Sequence, residues 1–198
     1  MKKVLLIVDY QNDFADPNGA LYVKGAEKLL DFINKEIDSG KYDEIWACED
    51  NHPRGHVSFA STHNKNVFDT IETPNGTQVL WPDHCVEGTW GAEFVEGLGI
   101  EKFKVILRKG MKKDVDSYSA FFDNAGIETG LGRLFNKNDQ IFIVGVAGDY
   151  CVKFTAEGAA SFINDITLLR NGIAFVNPAI ENETYSNLKI KKIENIIE

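Results

Sequence analysis

The stretch Ile141–Cys151, IFIVGVAGDYC, allows fewer folds than any other part of this chain. Ile141–Val146 is a short apolar run with β-branched residues, and Gly145 and Gly148 loosen the backbone. Val152, Thr155, Ala156, Ala159, Ala160 and Ile163 then recur at helical spacing. The pattern predicts a buried strand, a tight turn and a helix over Tyr150–Ile163, with one thiol at the join. A cysteine in the first turn of a helix sits at the positive end of the macrodipole, where the thiolate is favoured. Backbone N–H groups from Ala147 to Cys151 lack intrahelical partners there and are able to hold the oxyanion of an acyl-transfer intermediate. A cysteine without reactive neighbours is ordinary core packing, so the reading turns on what else reaches this turn.

The rest of the chain repeats the alternation. Lys3–Asp9 reads as a buried parallel strand that delivers Asp9 into the turn YQNDF. Ala26–Ile37 carries Leu29, Leu30, Phe32, Ile33 and Ile37 on one face of a covering helix, ended by Ser39-Gly40. Glu44–Cys48 is a second strand, running into Glu49-Asp50-Asn51-His52. From Asn51 to about Glu101 no periodicity is sustained, yet this stretch holds all four histidines and three of the five prolines. A segment of that length without pattern belongs to a site or a lid. Lys102–Leu107 is a third strand, ending in Arg108-Lys109-Gly110. Ile127–Phe135 reads as a short helix, Ile166–Leu169 and Ile173–Val176 as strands, and Tyr185–Ile197 as a closing helix built on Leu188, Ile190, Ile193 and Ile196. The prediction is an α/β fold, a mostly parallel sheet between two helical layers, in a single domain over residues 1–198.

Composition removes some function classes. The 21 basic and 30 acidic residues give a formal charge of −9, which repels nucleic acid and anionic membranes. The apolar run Val4–Val8 stops at Asp9, short of a signal or membrane segment. A cytoplasmic protein is expected, with a small-molecule substrate, no nucleic-acid or membrane partner, and homo-oligomerisation left open. Cys48, Cys85 and Cys151 cannot all pair and lack the spacing of a structural zinc site, which fits reduced thiols.

Asp9, Lys109 and Cys151 lie at the carboxyl ends of three of these strands, which a parallel sheet brings to one edge. An acid, a cation and a thiol form a hydrolytic set: Asp9 to take the thiol proton, Lys109 to hold the carboxylate, Cys151 to attack. Asp13 competes with Asp9, and Lys104, Lys112 and Lys113 compete with Lys109. Asp50-x-His52 leaves a strand end and His84 returns in the following loop, three donors that suit Zn, Fe or Mn. His63 has no assigned role.

Five words occur in order: VDYQNDF at Val8–Phe14, DNH at Asp50–His52, WPDHCVEGTWGAEF at Trp81–Phe94, RKG at Arg108–Gly110 and GVAGDYCV at Gly145–Val152. Together they resemble the signatures of nicotinamidases, within the isochorismatase-like cysteine hydrolases, from Val4 to about Phe175. The resemblance implies that Asp9 is the general base, Lys109 its partner and Cys151 the nucleophile. It implies a cis peptide between Val146 and Ala147, with the N–H groups of Ala147 and Cys151 as the oxyanion hole. It further implies one divalent metal ion on Asp50, His52 and His84, with His56 at a position where some relatives place a further ligand and others use a different residue, and Phe14, Trp81 and, in the segment SYSAFF, Tyr118 around a flat ring. The implied reaction converts nicotinamide to nicotinate and ammonia through a cysteine thioester, a step of NAD salvage, with pyrazinamide-like amides also accepted. The alternatives are another hydrolase of the superfamily, acting on a carbamoyl compound or an isochorismate-like ether, and a catalytically silent binding protein of the same fold.

Overall fold

Eight strands and four helices organise the chain in a computed structural model that describes residues 1–190, 193 and 195–197. In order they are β1 (Lys3–Val8), α1 (Asn12–Ala15), α2 (Leu30–Ile37), β2 (Glu44–Asp50), β3 (Thr70–Thr73), β4 (Gly76–Val79), β5 (Phe103–Lys109), β6 (Gln140–Val146), α3 (Cys151–Ala159), β7 (Asp165–Ala174), α4 (Glu181–Ile190) and β8 (Asn195–Ile197). The main sheet is parallel throughout and runs β5-β2-β1-β6-β7-β8; β3 and β4 pair as a separate antiparallel hairpin.

Side-chain alternation along each central strand builds the layers. Val4, Leu6 and Val8 of β1 join Trp46, Ile141, Ile143, Val152, Ala156 and Leu188 on the face covered by α3 and α4. Leu5 and Ile7 point the other way, with Ile33, Ile37, Ala47, Val144 and Val146, under α2. Both faces of β1 are therefore fully buried, which is why its sequence is an unbroken apolar run.

From β1 the chain winds outward through β2 to β5; it then returns to β6 on the other side of β1 and winds outward to β8. The carboxyl ends of β1 and β6 thus flank the point where the winding reverses, the place where open α/β sheets form sites. Close approach there demands glycine: Gly145 has φ 118°, and a Cβ on it would lie 2.0 Å from the Val8 carbonyl oxygen. No helix among the described residues is long and apolar enough to cross a membrane.

Several expected boundaries are corrected. The first helix is a 3₁₀ turn, Ala26–Lys28, followed by α2, and Ile127–Phe135 contains only a 3₁₀ turn at Leu131–Leu134. The two strands expected over Ile166–Val176 are one, β7, whose register against β6 shifts between Ile143 and Gly145. The α3 helix stops at Ala159, leaving Ala160 exposed and Ile163 buried in the turn beyond. The closing helix ends at Ile190. Ile196 pairs with Leu168 as part of β8 and Ile193 is buried in the core, so their spacing served a strand edge and a turn, not a helix. Residues 191, 192, 194 and 198 lie outside the described residues.

Candidate active site

Strand register sets the first cluster. Val8 pairs with Cys48 of β2 on one side and with Gly145 of β6 on the other, while Asp50 of β2 pairs with Lys109 of β5. Asp9, one residue beyond β1, takes φ 50° and turns its side chain into this edge. The Lys109 ammonium lies 2.8 Å from Asp9 Oδ2 and 2.7 Å from Asp50 Oδ1. It also donates to the Ser117 carbonyl at 2.9 Å and sits 3.5 Å from Cys151 Sγ. Structure therefore brings together the acid, cation and thiol expected from the strand ends. The competitors lie elsewhere. Asp13 accepts from Ala20 N–H and Cys85 N–H, at 2.9 and 2.7 Å, and anchors a loop. Lys104 pairs with Glu44 and Lys112 with Asp123 at the surface, and Lys113 packs against Gly55.

Electrostatics in this cluster follow from burial. Loss of water raises the Asp9 carboxyl to about 6, with the Lys109 ammonium pulling it back down. Burial works against the charge of Lys109, but Asp50 and Asp9 beside it hold the ammonium well above the ordinary lysine range. Burial likewise pushes the Cys151 thiol well up, beyond what Lys109 offsets. This corrects the expectation that the helix start enriches the thiolate, since desolvation and the Asp9 and Asp50 carboxylates raise the thiol, and it leaves in place the need for a neighbouring base expected from the sequence. Cys151 rests as a thiol and needs a base, and Asp9 is ionised at neutral pH and in reach.

Sequence reasoning missed three parts of this arrangement. Asp50, expected only as a metal ligand, also neutralises Lys109. The buried Cys48 thiol donates to Asp9 Oδ1 at 3.2 Å, and nothing in the motif words marks it. Gln11 grips the backbone of Asp50 on both sides, accepting from its N–H and donating to its carbonyl, each at 2.8 Å.

The second cluster is Asp50, His52 and His84, whose ligand atoms lie within 4.8 Å of one another and are all buried. His52 Nδ1 is 2.9 Å from the Gly110 carbonyl, and His84 Nδ1 is 2.7 Å from the Pro82 carbonyl. A carbonyl only accepts, so both Nδ1 atoms carry the proton, and Nε2 is the atom each ring has left to offer a metal. His52 Nε2 faces Asp50 Oδ2 at 3.6 Å; burial works against a charge on His52, but Asp50 beside it raises the ring above the ordinary histidine range, so a bound ion would replace a proton there. Burial, then the neighbouring His52, lowers His84 to about 4, so it is neutral at pH 7 as a metal ligand must be. Two imidazole nitrogens and a carboxylate oxygen within 4.8 Å of one another fit a divalent ion. Gly110 is required here: its φ is 66°, and a Cβ would lie 2.3 Å from the His52 ring. His56 stacks on His52 with centroids 4.2 Å apart, and its nitrogens meet Ser58 Oγ at 2.7 Å and the Val115 carbonyl at 3.4 Å. His63 meets the Val57 carbonyl, away from both clusters.

Between the clusters lies a small pocket lined by Phe14, Trp81, Tyr118, Asp50, His84, Ala147 and Cys151 among others. Trp81 Nε1 donates to the Tyr118 hydroxyl at 3.2 Å, locking the two rings into one wall. The peptide Val146–Ala147 is cis. In the turn that follows, the Gly148 N–H donates to the Ala174 carbonyl, and the Tyr150 and Val152 N–H groups donate to the Ala147 carbonyl. The N–H groups of Ala147 and Cys151 are not among those donors, and both residues line the pocket.

Known proteins share this fold. The model of the isochorismatase domain matches residues 3–192, and the chain belongs to that family. The nicotinamidase of Acinetobacter baylyi is 43% identical over 160 residues, covering 79% of this chain and 73% of the relative. A solved nicotinamidase/pyrazinamidase from Acinetobacter baumannii superposes with a TM-score of 0.90 at 32% identity, covering 100% of this chain and 96% of its own. The pyrazinamidase of Pyrococcus horikoshii, solved in complex with zinc, gives a TM-score of 0.80 at 31% identity over 100% and 99% of the two chains. Within the family, then, the chain stands with the nicotinamidases, an amidohydrolase group.

Proposed function

We propose that this chain hydrolyses nicotinamide to nicotinate and ammonia, and so returns a pyridine to NAD synthesis. The observation that carries the reading is the convergence of Asp9 and Lys109 on Cys151, which lines a pocket together with Asp50 and His84. Asp9 takes the Cys151 proton as Sγ bonds to the amide carbon, and the carbonyl electron pair moves onto oxygen. The N–H groups of Ala147 and Cys151 hold that oxyanion. As the oxyanion collapses the C–N bond breaks, Asp9 returns its proton to nitrogen, and ammonia leaves a thioester. Water then loses a proton to Asp9 and attacks the thioester; the C–S bond breaks, and Asp9 reprotonates the thiolate. Lys109 stays charged throughout, which keeps Asp9 ionised and in place between turnovers.

Asp50, His52 and His84 are the residues that would hold a divalent ion such as Zn, Fe or Mn. When bound, such an ion supplies a Lewis acid for the lone pair of an aromatic ring nitrogen. Phe14, Trp81 and Tyr118 supply flat apolar walls for the ring. The zinc in the Pyrococcus horikoshii relative supports the metal assignment. Pyrazinamide shares the ring nitrogen and the amide and is expected to be a second substrate. An ammonia-release assay on nicotinamide, with metal content measured in the same preparation, tests the reading. Steady turnover that disappears in Cys151→Ala is expected; release of ammonia only from a carbamoyl compound would move the protein to another hydrolase of the family.

A further inference from the structure

We infer that Cys48 is a positioning residue for the Asp9 base, its S–H fixing Oδ1 so that Oδ2 is presented to Lys109 and Cys151; this rests on the function proposed above. The same residue holds Asp9 at two points. Its carbonyl accepts the Asp9 N–H at 3.0 Å, and its thiol donates to Asp9 Oδ1 at 3.2 Å. Two contacts on one residue fix both where the backbone turns and how the carboxylate is rotated.

Rotation matters because, among the described residues, the Cys48 thiol is the donor placed on Oδ1. Oδ2 lies 2.8 Å from the Lys109 ammonium, and one oxygen of Asp9 lies within 4.8 Å of Cys151 Sγ. A carboxylate joined to its chain by two rotatable bonds, and held only through Oδ2, is free to swing about that contact. A donor to the other oxygen removes this freedom. Asp9 also departs from the ordinary strand conformation at φ 50°, so its side chain leaves the edge at an angle that the ladder itself does not set. Cys48 is fully buried in the sheet, at the pairing position of Val8, and makes no contact with the pocket. It reaches the reaction only through Asp9. A small hydrophobe would fill this core position equally well, so the use of a side chain with a donor is the feature that needs the explanation.

The test is a set of substitutions that keep or remove the donor at constant size. Cys48→Ser keeps a donor and Cys48→Ala does not; Cys48→Thr and Cys48→Val repeat the contrast with the cavity filled and cover the case in which the smaller pair fails to fold. With nicotinamide as substrate, kcat in Cys48→Ala or Cys48→Val is expected to fall about tenfold with KM within about twofold of the parent, and Cys48→Ser or Cys48→Thr to recover to within about threefold. Equal loss in donor and non-donor variants, a change confined to KM, or parental kcat in Cys48→Val would overturn the inference. Alkylation of Cys151 by iodoacetamide, followed by peptide mass spectrometry, reads the same base without turnover. It should slow several-fold in Cys48→Val and recover in Cys48→Thr, and an unchanged rate in Cys48→Val contradicts the role. Failure of the parent enzyme on nicotinamide would refute the substrate while leaving this alkylation contrast to decide on Cys48.

Discussion

The two walls of the pocket are built differently. On the Cys151 wall, Asp9, Lys109 and the helix start project from strand ends locked by ladder register, and their mutual distances are set by the sheet. On the Asp50 wall, His52 and His84 belong to a long irregular segment and depend on tethers: Gly110 and Pro82 carbonyls fix the rings, Gln11 fixes Asp50, and Asp13 fixes the backbone of Cys85 next to His84. The first wall is suited to chemistry that tolerates little displacement, the second to holding a ligand. Asp50 alone belongs to both, with Oδ1 on Lys109 and Oδ2 toward His52. Substitutions on the two walls should therefore fail in different ways.

The largest effect is expected at Cys151. Cys151→Ala should lower turnover at least a thousandfold with circular dichroism unchanged, whereas Cys85→Ala, behind the second wall, should keep clear activity. Equal loss at both would mean that the two walls are not divided as described. Lys109→Ala comes next: kcat should fall about a hundredfold or more. It also leaves Asp9 and Asp50 buried without their cation, a cost of about 3–5 kcal/mol in folding stability, readable as a lowered denaturant midpoint. Lys112→Ala, whose partner Asp123 is at the surface, should change neither.

Acid is expected to act through the first wall. Asp9 must be ionised to accept the thiol proton, and burial, offset in part by Lys109, sets its pKa at about 6. Below that pH the base is protonated, so kcat/KM should fall tenfold for each further pH unit and level off above it. A profile flat down to pH 4.5 would remove Asp9 as the base. The smallest effect belongs to the second wall. Asp13→Ala frees the Cys85 N–H and loosens His84, which should weaken metal affinity by about 10-fold, measured by competition with a chromogenic chelator, with kcat of the metal-loaded enzyme little changed.

What the sequence revealed divides along the same line. Strand ends are legible because a buried parallel strand is an unbroken apolar run with an abrupt stop; Asp9 lies directly beyond one such stop, and Cys151 at the helix start after the turn that follows another. Lys109 closes a strand whose alternating exposure marks it as the sheet edge. The tethers are not legible, since Gln11 to Asp50 and Asp13 to Cys85 are contacts 39 and 72 residues apart that follow no local period. Cys48 gives no signal for the same reason: its meaning depends on Asp9 lying across the ladder. The β3–β4 hairpin escapes because Thr70–Thr73 and Gly76–Val79 are largely exposed, so no apolar alternation records it.

Division of labour between the walls is tested most directly by nicotinamide and benzamide, which share an amide and nearly a ring shape but differ in the ring nitrogen. Rates for both should be measured before and after chelation, with bound metal quantified by elemental analysis. The account predicts that the metal-loaded enzyme strongly prefers nicotinamide, and that chelation removes most of that preference through a higher KM for nicotinamide, while iodoacetamide still alkylates Cys151. A metal-free preparation that hydrolyses nicotinamide and benzamide equally well, at the rate of the untreated enzyme on nicotinamide, would contradict it.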